Sequence, residues 1–173
     1  MKRSIIEIII AGFIAVSIAV CIRIFLFQTF IVPSRSMEPA IHAGDEILIF
    51  KGMFRFSPEH ASQSLARSRI VVFDDAASPG SFLVKRVIGL PGDTVVLSHN
   101  RIIINGTNLS EPYTVTPMPE NTAYRVPSNS IFVLGDNRIV SEDSRAYGFV
   151  NVSRITGVAL LVFSPAKDWK VLW

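Results

Sequence analysis

The sequence predicts a mainly β protein: a single N-terminal transmembrane helix followed by one antiparallel β-rich domain. Three observations carry that reading. The hydrophobic excess of this 173-residue chain, whose mean hydropathy is +0.41, is concentrated at its N-terminus. Beyond it comes a series of short runs rich in β-branched and aromatic side chains. Glycine and proline punctuate those runs where turns belong. A chain of this length holds one domain with a real core and not two large ones.

The helix comes first. Ile8 to Ile22 is fifteen residues without a charge, and tolerating Glu7 and Arg23 at its edges extends the segment to Ile5–Phe27. Crossing a bilayer takes roughly 20 helical residues. Glu7 and Arg23 then fall near the two interfaces, where long side chains reach headgroups. Met1-Lys2-Arg3 before an apolar run also resembles a cleaved signal peptide. Ile18-Ala19-Val20-Cys21 faintly resembles a lipoprotein cleavage box, with Val20 too bulky before the cysteine. The expectation is an uncleaved anchor at residues 1–27 and one β-rich domain at 28–173. Charge leaves the orientation near a tie: Lys2, Arg3 and the amino terminus stand at one end, Arg23 and Arg35 at the other.

The strands follow. Ile47–Phe50, Ile70–Phe73, Phe82–Ile88, Thr94–Leu97, Arg101–Ile104, Ile131–Leu134 and Val158–Phe163 are the predicted runs. Asn105-Gly106 signals a tight hairpin after Arg101–Ile104. Gly44-Asp45, Pro79-Gly80, Pro91-Gly92-Asp93 and Gly135-Asp136 mark the other breaks. Val158–Phe163 is too short for a second span. Ser57–Arg69 reads as a short helix or surface loop, and Met118–Val126 as a loop. No repeat or low-complexity tract is present.

Composition narrows the function. The net charge of +3 is spread along the chain, with no basic run interleaved with aromatics, so nucleic acid is not an expected partner. One cysteine rules out an internal disulfide framework. His42, His60 and His99 form no metal-ligand spacing, and neither a metal nor another cofactor is expected. Two serines lie between prolines in Pro33-Ser34-Arg35-Ser36-Met37-Glu38-Pro39; a serine becomes a nucleophile only with a base beside it. Lys85 is the candidate base, because it interrupts an otherwise buried strand. Alternation puts it on one face with Leu83 and Val87. An amine among apolar groups loses its charge readily and can then take a proton from a hydroxyl. Arg86 stays protonated and points the other way. An edge-strand lysine that discourages aggregation is the plainer reading, and a Ser-His-Asp triad stays open, since its members converge only in space. Gly135 to Arg145, with carboxylates beside arginines, reads as a rigid, internally paired loop.

Together these segments resemble the bacterial type I signal peptidase family, over about Arg23 to Pro165 and in the family's order. Phe30–Pro39 looks like its nucleophile box, Gly44–Lys51 its second box and Lys85–Asp93 its general-base box. Gly135-Asp136-Asn137-Arg138 with Ser141, Asp143, Ser144 and Arg145 looks like its last box. The resemblance implies a Ser–Lys endopeptidase with Ser36 as nucleophile and Lys85 as general base. It also implies an oxyanion hole from the Ser36 N–H and the Ser34 hydroxyl. Ser141 would hydrogen-bond and orient the Lys85 amine, with Asp143 and Arg145 paired beneath. Phe30, Val32, Met37, Ile41, Leu83 and Val84 match the family's pocket-lining positions. The implied partners are the bilayer and the signal peptides of exported preproteins, bound as an added strand and cut after small residues. The implied location is the bacterial plasma membrane, with Met1 cytoplasmic and the domain outside.

Two departures stand out: Ala40 replaces a threonine usual in the nucleophile box, and Ser68-Arg69 stands where a Gly-Asp often precedes the strand at Ile70. Rival readings are a relative maturing one dedicated substrate (conjugation-type or mitochondrial-inner-membrane-type), a self-cleaving Ser–Lys repressor-type protease, and a non-catalytic membrane-tethered module.

Overall fold

The structure is a computed structural model that describes residues 2–52, 54, 65–98, 101–114, 121–163 and 169–172. The polar stretch at 57–64, the start of the loop expected from Met118, His60 and His99 lie outside the described residues.

Helix α1 (Lys2–Leu26) is apolar all round, so it has no face to lay on a core. Its window Ile5–Leu26 has mean hydropathy 2.8 and none of it is buried inside the protein. At about 1.5 Å per residue it is long enough to cross a hydrocarbon layer of about 30 Å. Without a linker the chain turns extended as β1 (Phe27–Ile31), a strand that sequence reading missed.

β2 (Glu46–Phe50), β3 (Ile70–Asp74), β4 (Phe82–Gly89) and β5 (Thr94–Ser98) follow. β6 (Arg101–Ile104) turns into β7 (Thr107–Asn108) through Asn105-Gly106. Both turn residues have positive φ, 50° and 85°, as the expected hairpin turn requires. β8 (Asn121–Arg125) corrects the loop expected over Met118–Val126: it pairs along its full length with β5. The chain ends with β9 (Ser130–Leu134), the short helix α2 (Ser144–Tyr147), β10 (Val150–Asn151), β11 (Ile155–Val162) and β12 (Lys170–Val171).

All strand pairs are antiparallel. One sheet runs β1-β2-β11-β3-β4-β9-β10, with β12 added on β11, and the other runs β7-β6-β5-β8. Three apolar clusters fill the space. The first joins Val32, Met37 and Ile41 to Ile47, Ile49, Ile70 and Val72. The second, on the opposite face, gathers Val71, Phe73, Val87, Ile131 and Val133. The third links the sheets by setting Phe132 and Leu134 of β9 against Val95, Leu97, Ile102 and Ile104.

β4 pairs with β3 along Phe82–Arg86, but with β9 only over Arg86–Gly89. Among the described strands, the second edge of Phe82–Lys85 is therefore open. That edge lies beside the residues described next.

Candidate active site

Ser36 sits in the turn between β1 and β2. Its neighbours Met37 and Ile41 are fully buried and pin the turn to the first cluster. The Ile41 N–H donates to the Met37 carbonyl at 2.9 Å, and the Val32 N–H to the Asp45 carbonyl at 2.9 Å. A loop anchored by apolar side chains at both ends holds its intervening serine in one place.

Lys85 reaches that serine from β4, 49 positions away: its Nζ donates to Ser36 Oγ at 3.0 Å. Both residues are almost completely buried, at 4% and 5% exposure. Burial pushes the Lys85 pKa below its ordinary value, against the opposing pull of Asp143 and Glu142. Ser34, exposed on the same turn, places its Oγ 3.2 Å from Ser36 Oγ.

The loop after β9 closes the other side. The Asn137 N–H donates to the Ser36 carbonyl at 3.0 Å. Gly135 passes so close that an added Cβ would meet that carbonyl at 2.5 Å and collide with Ser141. Asp143 accepts from the Gly135 N–H at 3.0 Å and from Arg145 Nε at 2.8 Å. Arg145 in turn donates to the Arg138 carbonyl at 2.7 Å. The loop is thus internally paired around Asp143 and Arg145.

Ser141 differs from expectation. Among the described residues its buried Oγ has no hydrogen-bond partner, and the Lys85 amine is held by Ser36 instead. The reason is positional: Ser141 lies against the bare Cα of Gly135 and so beside the Ser36 carbonyl.

The expected pocket-lining residues divide. Phe30 and Val84 are half-buried at the margin of the first cluster, while Val32, Met37 and Ile41 are within it at 1%, 0% and 0% exposure. Leu83 belongs to the opposite face. Phe30 and Phe82 meet edge to face, centroids 4.8 Å apart, across the gap between β1 and β4. Ala40 is an apolar member of the first cluster. His42 is an exposed loop residue whose Nδ1 lies 3.8 Å from Asp45.

Sequence reading missed a second layer. Arg86 forks onto Asp136, with Nε–Oδ1 2.7 Å and Nη2–Oδ2 2.5 Å, and Tyr113 lies over its guanidinium at 3.9 Å. Burial raises the Asp136 pKa, with Arg86 and Arg138 pulling against it. Glu111 binds Arg138 and accepts from Tyr113 Oη at 3.0 Å. The acid–base alternation of residues 136–145 was the available signal for this layer, but the partners Glu111 and Tyr113 come from a distant loop.

A β-sheet domain with a buried serine–lysine contact beside an open strand edge has the framework of a serine hydrolase. The family model for signal peptidase, peptidase S26, matches residues 5–164, and the chain belongs to that serine protease family. Among curated relatives, a signal peptidase I of Bacillus licheniformis is 36% identical over 96% of this chain and 92% of its own length. A signal peptidase I of Bacillus caldolyticus is 33% identical over 91% and 90%. A probable signal peptidase I-2 of Synechocystis is 39% identical over 87% and 69%. A crystal structure of a signal peptidase I from Enterococcus faecalis V583 aligns at TM-score 0.47 and 35% identity, over 54% of this chain and 95% of that one. The apolar α1 is compatible with the membrane anchoring of such proteins.

Proposed function

We propose that this chain is a membrane-anchored endopeptidase that releases leader peptides from exported preproteins by a Ser36–Lys85 dyad. One observation carries the reading: a buried amine whose charge is disfavoured donates to a buried serine hydroxyl at 3.0 Å.

In its neutral form Lys85 takes the Ser36 proton as Oγ attacks the scissile carbonyl. The developing oxyanion is received by the Ser36 N–H and the Ser34 hydroxyl, donors fixed on the nucleophile's own turn. The Lys85 ammonium returns the proton to the leaving amine. Water, deprotonated by the same amine, then hydrolyses the ester and restores Ser36. Once Ser36 Oγ is acylated, Lys85 needs another acceptor, and the unpartnered Ser141 Oγ supplies it. Asp143, held by Arg145 and the Gly135 N–H, positions the loop that carries Ser141.

The substrate binds as an extended strand along the open edge of Phe82–Lys85. Its residues at the first and third positions before the cut face Phe30 and Val84. Behind them Val32, Met37 and Ile41 form a buried apolar wall, which suits small uncharged side chains. The β-domain stands on the extracytoplasmic side of the bacterial plasma membrane and Met1 in the cytoplasm, because leaders are cut after export.

The test is incubation of the detergent-solubilised chain with several unrelated preproteins, followed by N-terminal sequencing of the products. Cleavage after a small residue in each, lost in Ser36→Ala, is the expected result. Undiminished cleavage by Ser36→Ala overturns the nucleophile, and cleavage of one substrate alone identifies a dedicated relative.

A further inference from the structure

Resting on that reading, we infer that a cavity on the opposite face of β4 receives the side chain at the second position before the cut, and selects a basic one. The argument begins with the pleat. Side chains of neighbouring strands share faces, so a strand added to Phe82–Lys85 alternates in step with β4. Val84 lies with the first apolar cluster and Leu83 with the second. First and third substrate positions therefore fall on the Val84 face, and the second on the Leu83 face.

On that face is a cavity of ≈ 200 Å³, floored by Leu83 and Phe73, which are partners across β3 and β4. Asp75, Ala76, Ala77, Glu142, Tyr147 and Arg154 complete its lining. The Arg154 guanidinium is already engaged, donating to the Asp74 carbonyl and lying 5.9 Å from the Phe73 ring. Asp75 is fixed by the Ala77 N–H at 2.9 Å, and Glu142 is exposed. Two carboxylates thus face one committed cation, over an apolar floor. That combination suits a side chain with a methylene stem and a cationic tip. The Tyr147 hydroxyl reports the same field: burial raises its pKa, Asp143, Asp75 and Glu142 raise it further, and only Arg154 opposes.

Three peptides that differ only in Ala-Lys-Ala, Ala-Ala-Ala or Ala-Glu-Ala before the cut test this on the full chain in detergent. The lysine peptide should exceed the glutamate peptide in kcat/KM by about three- to fivefold, the size expected for a partly exposed ion pair. Glu142→Gln should shrink that ratio and Glu142→Lys should invert it, with Asp75→Asn shrinking it independently. A ratio within one enzyme cancels any effect of Glu142 on Lys85 that all substrates share. Affinities of the same peptides for Ser36→Ala protein read the cavity without turnover. Binding in the expected order without cleavage by the unmutated enzyme would end the peptidase reading and leave the cavity assignment standing. Equal cleavage of all three peptides, or a lysine preference that survives Glu142→Gln and Asp75→Asn, overturns the cavity assignment.

Discussion

An amine withdrawn from water costs stability in its charged form, and Lys85 is in that position at 4% exposure. In the window between its lowered folded pKa and the ordinary 10.5, the unfolded chain holds a proton that the folded chain lacks. Stability conferred at this site therefore rises with pH through that window. Lys85→Met should melt higher than the unmutated protein at neutral pH, with a margin that shrinks as pH approaches 10.5; thermal melts across pH measure it. In the proposed mechanism, activity depends on the same proton. The kcat/KM of the unmutated chain should rise with pH through a midpoint below the usual lysine value. Lys85→Arg, which stays charged, should lose on the order of 10³-fold in a peptide-cleavage assay. Both residues of the proposed dyad were legible in the sequence, Lys85 as the one amine in an apolar strand and Ser36 as a serine in a proline-bounded turn. Their contact was not, because 49 positions separate them and local pattern carries no distance. Tyr113 and Glu111 escaped for the same reason: they come from a distant loop and act through Arg86 and Arg138.

Among elements, the loop after β9 and the turn before β3 are the ones where backbone space decides the outcome. Gly135 has no room for a Cβ between Ser141 and the Ser36 carbonyl. Gly135→Ala should displace the Ser36 turn and lower kcat/KM on the order of 10²-fold, the usual result of a displacement near 1 Å; a far-UV spectrum should still show the folded sheets. Ser68 explains a departure noted in the sequence. It adopts φ 66°, the left-handed region where glycine is at ease, and its hydroxyl engages Tyr113. Strain of about 1 kcal/mol and a hydrogen bond of about 1 kcal/mol roughly offset each other. Ser68→Ala keeps the strain and loses the bond, so it should cost about 1 kcal/mol in chemical denaturation, while Ser68→Gly should stay within roughly 0.5 kcal/mol. The apolar strands and the Asn105-Gly106 turn were legible because alternation and turn chemistry are local. β8 was not: Asn121-Thr122-Ala123-Tyr124-Arg125 is largely exposed and polar, and only pairing with β5 makes it a strand. β1 was hidden differently, since no glycine or proline separates Phe27–Ile31 from the apolar helix before it.

At the scale of the whole molecule, α1 and the β-domain are held by different forces. The β-domain closes on its three apolar clusters, none of which includes a residue of α1. What ties the helix on is its last turn, where the Lys51 N–H donates to the Leu26 carbonyl at 2.8 Å and Lys51 Nζ to the Ile24 carbonyl at 3.0 Å. Removing residues 1–22 leaves those bonds in place and takes nothing from a core. The shortened chain should therefore melt with the full one and cleave a soluble leader peptide at a similar rate. A preprotein embedded in vesicles should respond otherwise, because on the proposed function an anchor in the bilayer confines enzyme and substrate to one surface and so raises their effective concentration. Losing that confinement should slow vesicle-bound cleavage on the order of 10²-fold, with soluble-peptide cleavage as the control. A lower melting temperature would mean that α1 supports the fold, and equal slowing of both substrates would mean that it shapes the Ser36 turn.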